Sequence, residues 1–171
     1  MDDVIALIRD VPDFPKPGIV FKDLTPLFGH SAAMQRVSVA LVEPFKDHGI
    51  TAVAGMEARG FIFGSLAARE LGVGFVPLRK PGKLPAQTFG VSYALEYGEA
   101  TLEMHCDALT VNDRVLVIDD LLATGGTAAA SIDLIGRSGA EIAALGFVVE
   151  LDFLKGRSAL EGQHIHSLIH Y

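Results

Sequence analysis

From residue 51 the sequence alternates short apolar runs with segments of helical period, and this rhythm limits the chain to few folds. TAVAG (51–55), FVPLR (75–79), VLVI (115–118) and LGFVVEL (145–151) read as strands. Between them, FIFGSLAARELG (61–72) and TAAASIDLIGRSGA (127–140) read as helices. The second carries Ile132 and Ile135 three apart and Gly139 near its end. Strands that alternate with helices predict an α/β fold with a central, mostly parallel sheet covered on both faces.

Other segments fall outside this rhythm. VSYALEYG and ATLEMH, within 91–105, predict an antiparallel pair or flap joined at Tyr97-Gly98-Glu99. HIHSLIHY (164–171) alternates and predicts an edge strand. Residues 2–9 predict a short amphipathic helix with Val4, Ile5 and Ile8 on one face. PDFPKPG (12–18), with three prolines and a glycine, predicts irregular chain. Ser31 is placed to cap a helix running toward His48, with Met34, Val37 and Leu41 at helical spacing and Pro44 kinking or shortening it.

A chain of 171 residues predicts one domain, 1–171, large enough to bury a core. Half its residues are hydrophobic, yet no uninterrupted apolar run approaches the roughly 18 residues of a membrane span. MDDVIALIRD opens with two acids and does not resemble a targeting peptide. Cys106, the single cysteine, cannot form an internal disulfide, so a reducing cytoplasmic setting is expected. It reads as a small, partly buried hydrophobe. The net charge of −7 argues against non-specific nucleic-acid binding. A locally positive site remains compatible with it. Between Leu71 and Leu95 there is no Asp or Glu, while Arg79, Lys80 and Lys83 cluster. His164, His166 and His170 share one strand face but lack a completing ligand set, so no metal site is assigned to them. Glu150 and Asp152 receive no role.

The chemistry concentrates in VLVIDDLLATGGTAAAS (115–131). Ligands of open parallel sheets collect at the carboxyl ends of strands, where this reading puts Asp119 and Asp120. The following ATGGT bridges strand and helix. Gly125 and Gly126 permit backbone angles other residues avoid, so successive N–H groups can form a nest for a phosphate. Thr124 and Thr127 add hydroxyl donors. The loop has no lysine and is not a Walker motif. Two adjacent carboxylates repel unless a partner uses them, such as sugar hydroxyls or a metal. A phosphate with a vicinal diol nearby satisfies both halves.

VLVIDDLLATGGT resembles the phosphoribosyl pyrophosphate (PRPP) signature of type I phosphoribosyltransferases. PDFPKPGIVFKDLTPLF, GMEARGFIFG, VPLRKPGKLP, YALEYG and VVELDFLKGR extend the resemblance, in order and over nearly the whole chain, to the adenine phosphoribosyltransferase family. The resemblance implies the type I phosphoribosyltransferase fold, with residues 1–30 contributing a small N-terminal hood. It implies transfer of ribose 5-phosphate from PRPP to N9 of adenine, giving AMP and pyrophosphate. Mg²⁺ would be the cofactor, reaching the site through PRPP rather than through protein ligands. A cytoplasmic homodimer is implied as well, with no nucleic-acid or membrane partner.

Carried over residue by residue, the resemblance assigns Ala123, Thr124, Gly125, Gly126 and Thr127 to the 5-phosphate, and Asp119 and Asp120 to the ribose hydroxyls. Arg59 matches the arginine of the pyrophosphate loop, where a non-proline cis peptide is expected at Glu57–Ala58. Arg79, Lys80 and Lys83 match the basic segment that meets pyrophosphate, in part across a dimer interface, on a mobile loop, PGKLPAQTFG. Glu96 matches the acid of LEYG, which would take the purine proton, with Tyr97 closing beside it. Phe21 would stack on adenine, Val20 and Lys22 would present backbone groups, and Leu151 would pack on the opposite face. Lys22 stands where some relatives carry arginine, which matters only if its side chain contacts the base.

Without the resemblance the same residues keep plainer readings. TGGT is also an ordinary strand–helix turn with Thr127 as N-cap. Arg59 is also a surface ion pair, the basic run a solvated loop, Glu96 a turn acid, and Tyr97, Phe21 and Leu151 packing residues. Two functional alternatives remain: a phosphoribosyltransferase for a 6-oxopurine, and a non-catalytic PRPP-sensing regulator. The regulator would be expected to carry a DNA-binding domain, for which 171 residues leave little length.

Overall fold

In the computed structural model, which describes residues 1–94 and 99–171, the β–α rhythm becomes a five-stranded parallel sheet. The chain opens with a single helical turn, α1 (Asp2–Ile5), then two short strands, β1 (Arg9–Pro12) and β2 (Val20–Asp23). The helix expected over 2–9 therefore stops early, because Arg9 onward pairs with β2 instead. The antiparallel register sets Asp10 opposite Lys22 and Arg9 opposite Asp23, and both couples form ion pairs, at 2.6 and 3.3 Å. Cross-strand charge pairs of this kind stabilise a ribbon too short to hold itself. Asp13 turns the chain at φ 58°, and its carboxylate accepts from the Gly18 N–H at 2.7 Å. The Phe14–Pro15 peptide is cis.

Next come α2 (Thr25–Phe28) and α3 (Ser31–Val42), the latter followed by a 3-10 turn over Glu43–Phe45. Pro44 thus ends α3, as its missing N–H requires. His30, not Ser31, occupies the N-cap, and no side chain caps the helix. The sheet is then laid down by β3 (Ala52–Met56), α4 (Gly60–Leu71) and β4 (Gly74–Leu78). The antiparallel pair β5 (Thr88–Ala94) and β6 (Glu99–His105) follows as a separate two-stranded sheet. Thr88 to Gly90, expected within a loop, belong to β5. The turn expected at residues 97–99 reaches beyond the described residues, as do Glu96 and Tyr97. The chain closes with β7 (Arg114–Leu122), α5 (Gly126–Gly136), β8 (Glu141–Glu150), two 3-10 turns (Asp152–Leu154 and Gly156–Leu160) and β9 (Ile165–His170).

The sheet order is β4-β3-β7-β8-β9, all neighbours parallel, with β9 at an edge as expected. Alternation along the strands builds a core on each face. Leu116 and Ile118 pack with Val37, Leu41 and Phe63 from α3 and α4. Val115 and Val117 pack with Leu134 and Ile135 of α5 and with Leu102 and Met104 of β6. The chain leaves β3 toward β4 on one side and returns as β7 on the other. The carboxyl ends of β3 and β7 therefore flank the crevice where the winding reverses, the usual ligand position in such sheets.

Candidate active site

Asp119 and Asp120 lie inside β7, not beyond its end, because β8 pairs with β7 as far as Leu122. On the other side, β3 stops pairing at Ile118, so the two acids face the open crevice there. Burial of the Asp119 carboxyl, and next the charge of Asp120, push its pKa well above the ordinary 3.8. Its Oδ1 accepts the Asp120 N–H at 2.9 Å. Asp120 is buried, and its carboxylate accepts from the Arg59 guanidinium. Arg59 thus supplies a counter-charge to Asp120, while burial disfavours the charged form of Asp119. The counter-charge comes from an arginine of the same chain, a partner the sequence reading did not name.

Arg59 sits at the start of α4, after the turn that follows β3. The Glu57–Ala58 peptide in that turn is cis, where the resemblance placed it. Close packing seats the turn. A Cβ on Gly60 would stand 2.7 Å from Asp119 Oδ1 and 3.0 Å from the Ile118 carbonyl. Glu57 organises the basic segment. It accepts from the Lys80 N–H at 3.0 Å and from Arg79 at 3.2 and 3.4 Å, and these bonds, the backbone one foremost, hold its pKa below 4.5. Arg79 also donates to the Lys83 carbonyl at 3.1 Å. Its backbone bridges to Glu103 of β6 in both directions, at 2.8 and 2.7 Å.

A cavity of about 790 Å³ opens between these parts. Glu57, Ala58, Arg59, Lys80, Asp119, Asp120, Tyr93 and Thr127 line it, with residues 99–102 of β6. Lys80 and Arg59 thus share one space with the carboxylate pair. Arg79 and Lys83 do not line it: the Arg79 guanidinium is engaged by Glu57 at the rim.

An adjoining pocket of about 70 Å³ is lined by Asp119, Leu121 through Ala128, and Phe147. This is the glycine loop. Gly125, at φ 83°, is the N-cap of α5, and Gly126 begins the helix, so Thr127 is not the cap. The pocket lies at the positive end of an eleven-residue helix, a setting suited to a phosphate. The Thr127 hydroxyl lies 3.3 Å from that of Tyr93. Tyr93 is a cavity residue the sequence reading did not single out. Its strand pattern gave no functional signal, and its place follows from the packing of β5 on α5.

The base-side residues stand apart from the cavity lining. Phe21 is half-buried, meets Phe14 edge-on at 5.2 Å, and lies 5.5 Å from the Arg59 guanidinium carbon. This contact joins the N-terminal ribbon to the turn after β3. Val20 is exposed. The Lys22 ammonium is held by Asp10 at 2.6 Å and stands 3.7 Å over the Tyr171 ring. Leu151 packs against the core cluster of α3 and α4, and its N–H donates to the Leu122 carbonyl at 3.0 Å.

Among the described residues, a group with metal-ligand spacing is Glu150, Asp152 and His170, outside both pockets. Glu150 is committed to Arg157 and Ser167. His164 and His166 instead pack edge-on against Phe45. No described helix is long and apolar enough to cross a membrane. Cys106 is half-buried.

A parallel sheet with a carboxylate pair, a glycine loop and cationic groups at one switch point is the arrangement expected of a sugar-phosphate-binding fold. The phosphoribosyl transferase domain family matches residues 30–163, and the chain belongs to it. An adenine phosphoribosyltransferase of Methylococcus capsulatus is 64% identical over 171 residues, covering 100% of both chains. The adenine phosphoribosyltransferase structure from Thermoanaerobacter pseudethanolicus superposes with a TM-score of 0.96 at 46% identity, covering 99% of each chain. That of Saccharomyces cerevisiae, complexed with an imino-altritol bisphosphate and adenine, gives 0.93 at 40% identity, covering 98% of this chain and 97% of that one. Within the phosphoribosyltransferases, the chain belongs with the adenine phosphoribosyltransferases.

Proposed function

We propose that this chain transfers ribose 5-phosphate from PRPP to N9 of adenine, releasing pyrophosphate and forming AMP in purine salvage. The observation that carries this reading is that Asp119 and Thr127 line both the glycine-loop pocket and the larger cavity that holds Asp120, Arg59 and Lys80. Two adjoining spaces lined in this way suit a phosphate, a ribose and a pyrophosphate.

In this reading residues 123–127 bind the 5-phosphate through backbone N–H groups and the Thr124 and Thr127 hydroxyls. Asp119 and Asp120 accept from the 2- and 3-hydroxyls. Arg59 then exchanges Asp120 for pyrophosphate oxygens, which suit its forked donors. Arg79 and Lys83 also meet pyrophosphate, Arg79 only after leaving Glu57 and the Lys83 carbonyl. As the bond from C1 to pyrophosphate breaks, C1 gains oxocarbenium character and N9 attacks it. Glu96 takes the N9 proton, with Tyr97 beside it. Residues from about 1 to 30 act as the hood, with Phe21 and Leu151 on the two faces of adenine and Val20 and Lys22 reading its edge through the backbone. The engagement of the Lys22 side chain by Asp10 and Tyr171 supports a backbone role.

Phosphoribosyltransferases generally use Mg²⁺ with PRPP. The oxygen-rich lining, in which Asp120 is met by Arg59 and Glu57 by Arg79, fits a hydrated ion held chiefly by substrate phosphates. Bound in this way, Mg²⁺ would supply charge neutralisation to the departing pyrophosphate. A cytoplasmic homodimer belongs to the same reading, and the family likeness supports it.

The test combines the protein with adenine, PRPP and Mg²⁺ and measures AMP by chromatography. AMP formation is expected, and its absence from folded protein overturns the proposal. Competition with hypoxanthine, guanine and xanthine should leave adenine strongly preferred. For Glu96→Ala, turnover should fall far more than PRPP affinity, and equal losses would remove its catalytic role.

A further inference from the structure

Residues 150–160 form an outer wall of the glycine loop, and the wall meets the loop backbone to backbone. A Cβ on Gly125 would stand 2.4 Å from the Gly156 carbonyl oxygen. A Cβ on Gly156 would stand 2.3 Å from the Ala123 carbonyl oxygen. Any side chain at either position would force the two segments apart, so the loop's shape depends on where Gly156 stands. Close approach of this kind leaves no flexible side chain to absorb an error.

The next residue fixes that position. Arg157 donates from Nε to Glu150 Oε1 at 2.7 Å and from Nη2 to Oε2 at 2.8 Å, while the Ser167 hydroxyl donates to Oε2 at 2.6 Å. Glu150 is buried and ends β8, directly paired with Leu122 of β7 and His170 of β9. Leu122 is the residue from which the glycine loop departs. The ion pair therefore ties both sides of the contact to one rigid frame. Between its two ends the chain passes through Lys155 at φ 53°, a conformation that side-chain-bearing residues seldom adopt. Further along, Leu160 is buried.

We propose that Arg157 is a positioning residue for PRPP: its two-bond pair with Glu150 holds Gly156 against Ala123 and Gly125 and so shapes the nest for the 5-phosphate. The proposal rests on reading that loop as the phosphate site. A planar fork meeting both carboxylate oxygens sets direction as well as distance, which a lysine ammonium cannot reproduce.

The experiment compares wild type, Arg157→Met, Arg157→Lys and Gly156→Ala by kinetics and by calorimetric binding of ribose 5-phosphate and of pyrophosphate. Arg157→Met is expected to raise KM for PRPP and Kd for ribose 5-phosphate roughly tenfold or more. Its kcat should stay within about threefold of wild type, because the reacting atoms are untouched. Pyrophosphate affinity should not change, and Arg157→Lys should recover part of the loss. Gly156→Ala, which keeps the ion pair but intrudes on Ala123, should show the same selective loss and carries the test if Arg157→Met does not fold. A variant that loses active protein at unchanged KM, or weakens both ligands equally, overturns the proposal. Wild-type protein that binds pyrophosphate but not ribose 5-phosphate overturns the phosphate-site reading itself, and the proposal with it.

Discussion

Asp120 is buried with its charge answered by Arg59, and this one contact joins the two halves of the candidate site. Under the proposed roles, a ligand at the ribose end must compete for Asp120, and one at the pyrophosphate end must compete for Arg59. Asp120→Asn should therefore separate the two. PRPP binding is expected to weaken roughly tenfold as a charged acceptor is lost. Pyrophosphate alone should bind more tightly, because Arg59 is released and a negative charge is gone. Calorimetric titration with each ligand checks both signs. Gly125→Val should abolish PRPP binding, although not by filling the nest directly. The φ of 83° disfavours a branched side chain, and its Cβ would strike the Gly156 carbonyl on the outer side of the loop. The sequence pointed to this glycine by its place in TGGT. It could not reveal the neighbour that makes the position intolerant, because Gly156 is 31 residues away in the chain.

At the level of elements, helix α4 reaches the site through a seam of small residues. Gly64 and Gly55 face each other across α4 and β3, and a Cβ on Gly64 would stand 2.7 Å from the Phe75 ring. The same seam ends at Gly60 against Asp119. Gly60→Ala should displace the Asp119 carboxylate and weaken PRPP binding, while Gly64→Ala should chiefly cost stability, about 1–3 kcal/mol by overpacking. Denaturant titration and PRPP binding, measured on both variants, separate these effects. Long periodic segments were legible from sequence: α4, α5, β3, β4 and the apolar centre of β7 lie close to where hydrophobic spacing put them. Boundaries set by a partner strand were not. Asp119 and Asp120 interrupt the apolar run and read as a strand end, yet β8 supplies backbone partners through Leu122. Arg9 reads as the end of a helix and Pro12 as irregular chain, yet β2 recruits Arg9 to Pro12 into a ribbon.

Over the whole molecule, the buried Glu150 network links β8, β9 and the turn carrying Arg157. Arg157 foremost, then Ser167, hold the Glu150 pKa below its ordinary 4.5. A depressed carboxylate contributes stability above its unfolded value and loses it as pH falls through the folded one. Glu150→Gln should therefore lower stability near neutrality by about 1–2 kcal/mol, less than a fully buried pair because Arg157 is half exposed. The difference between variant and wild type should shrink as pH drops below 4.5 and vanish once Glu150 is protonated in both states. Thermal unfolding followed across that range tests the sign, and a gap that persists in acid would refute it.

The sequence by itself determined the sheet-and-helix architecture and the location of the glycine loop. Period and glycine placement are local properties, and they act over a few residues. Its motifs also carried the family, because the matching blocks run in order through the chain. The tertiary structure decided which charges meet: Arg59 with Asp120, Arg79 with Glu57, and Arg157 with Glu150. It also decided that Lys80 lines the cavity while Arg79 is held at its rim. Ion pairs and close backbone contacts join residues distant in sequence, and their partners are set by the strand order at the switch point, which no local pattern encodes.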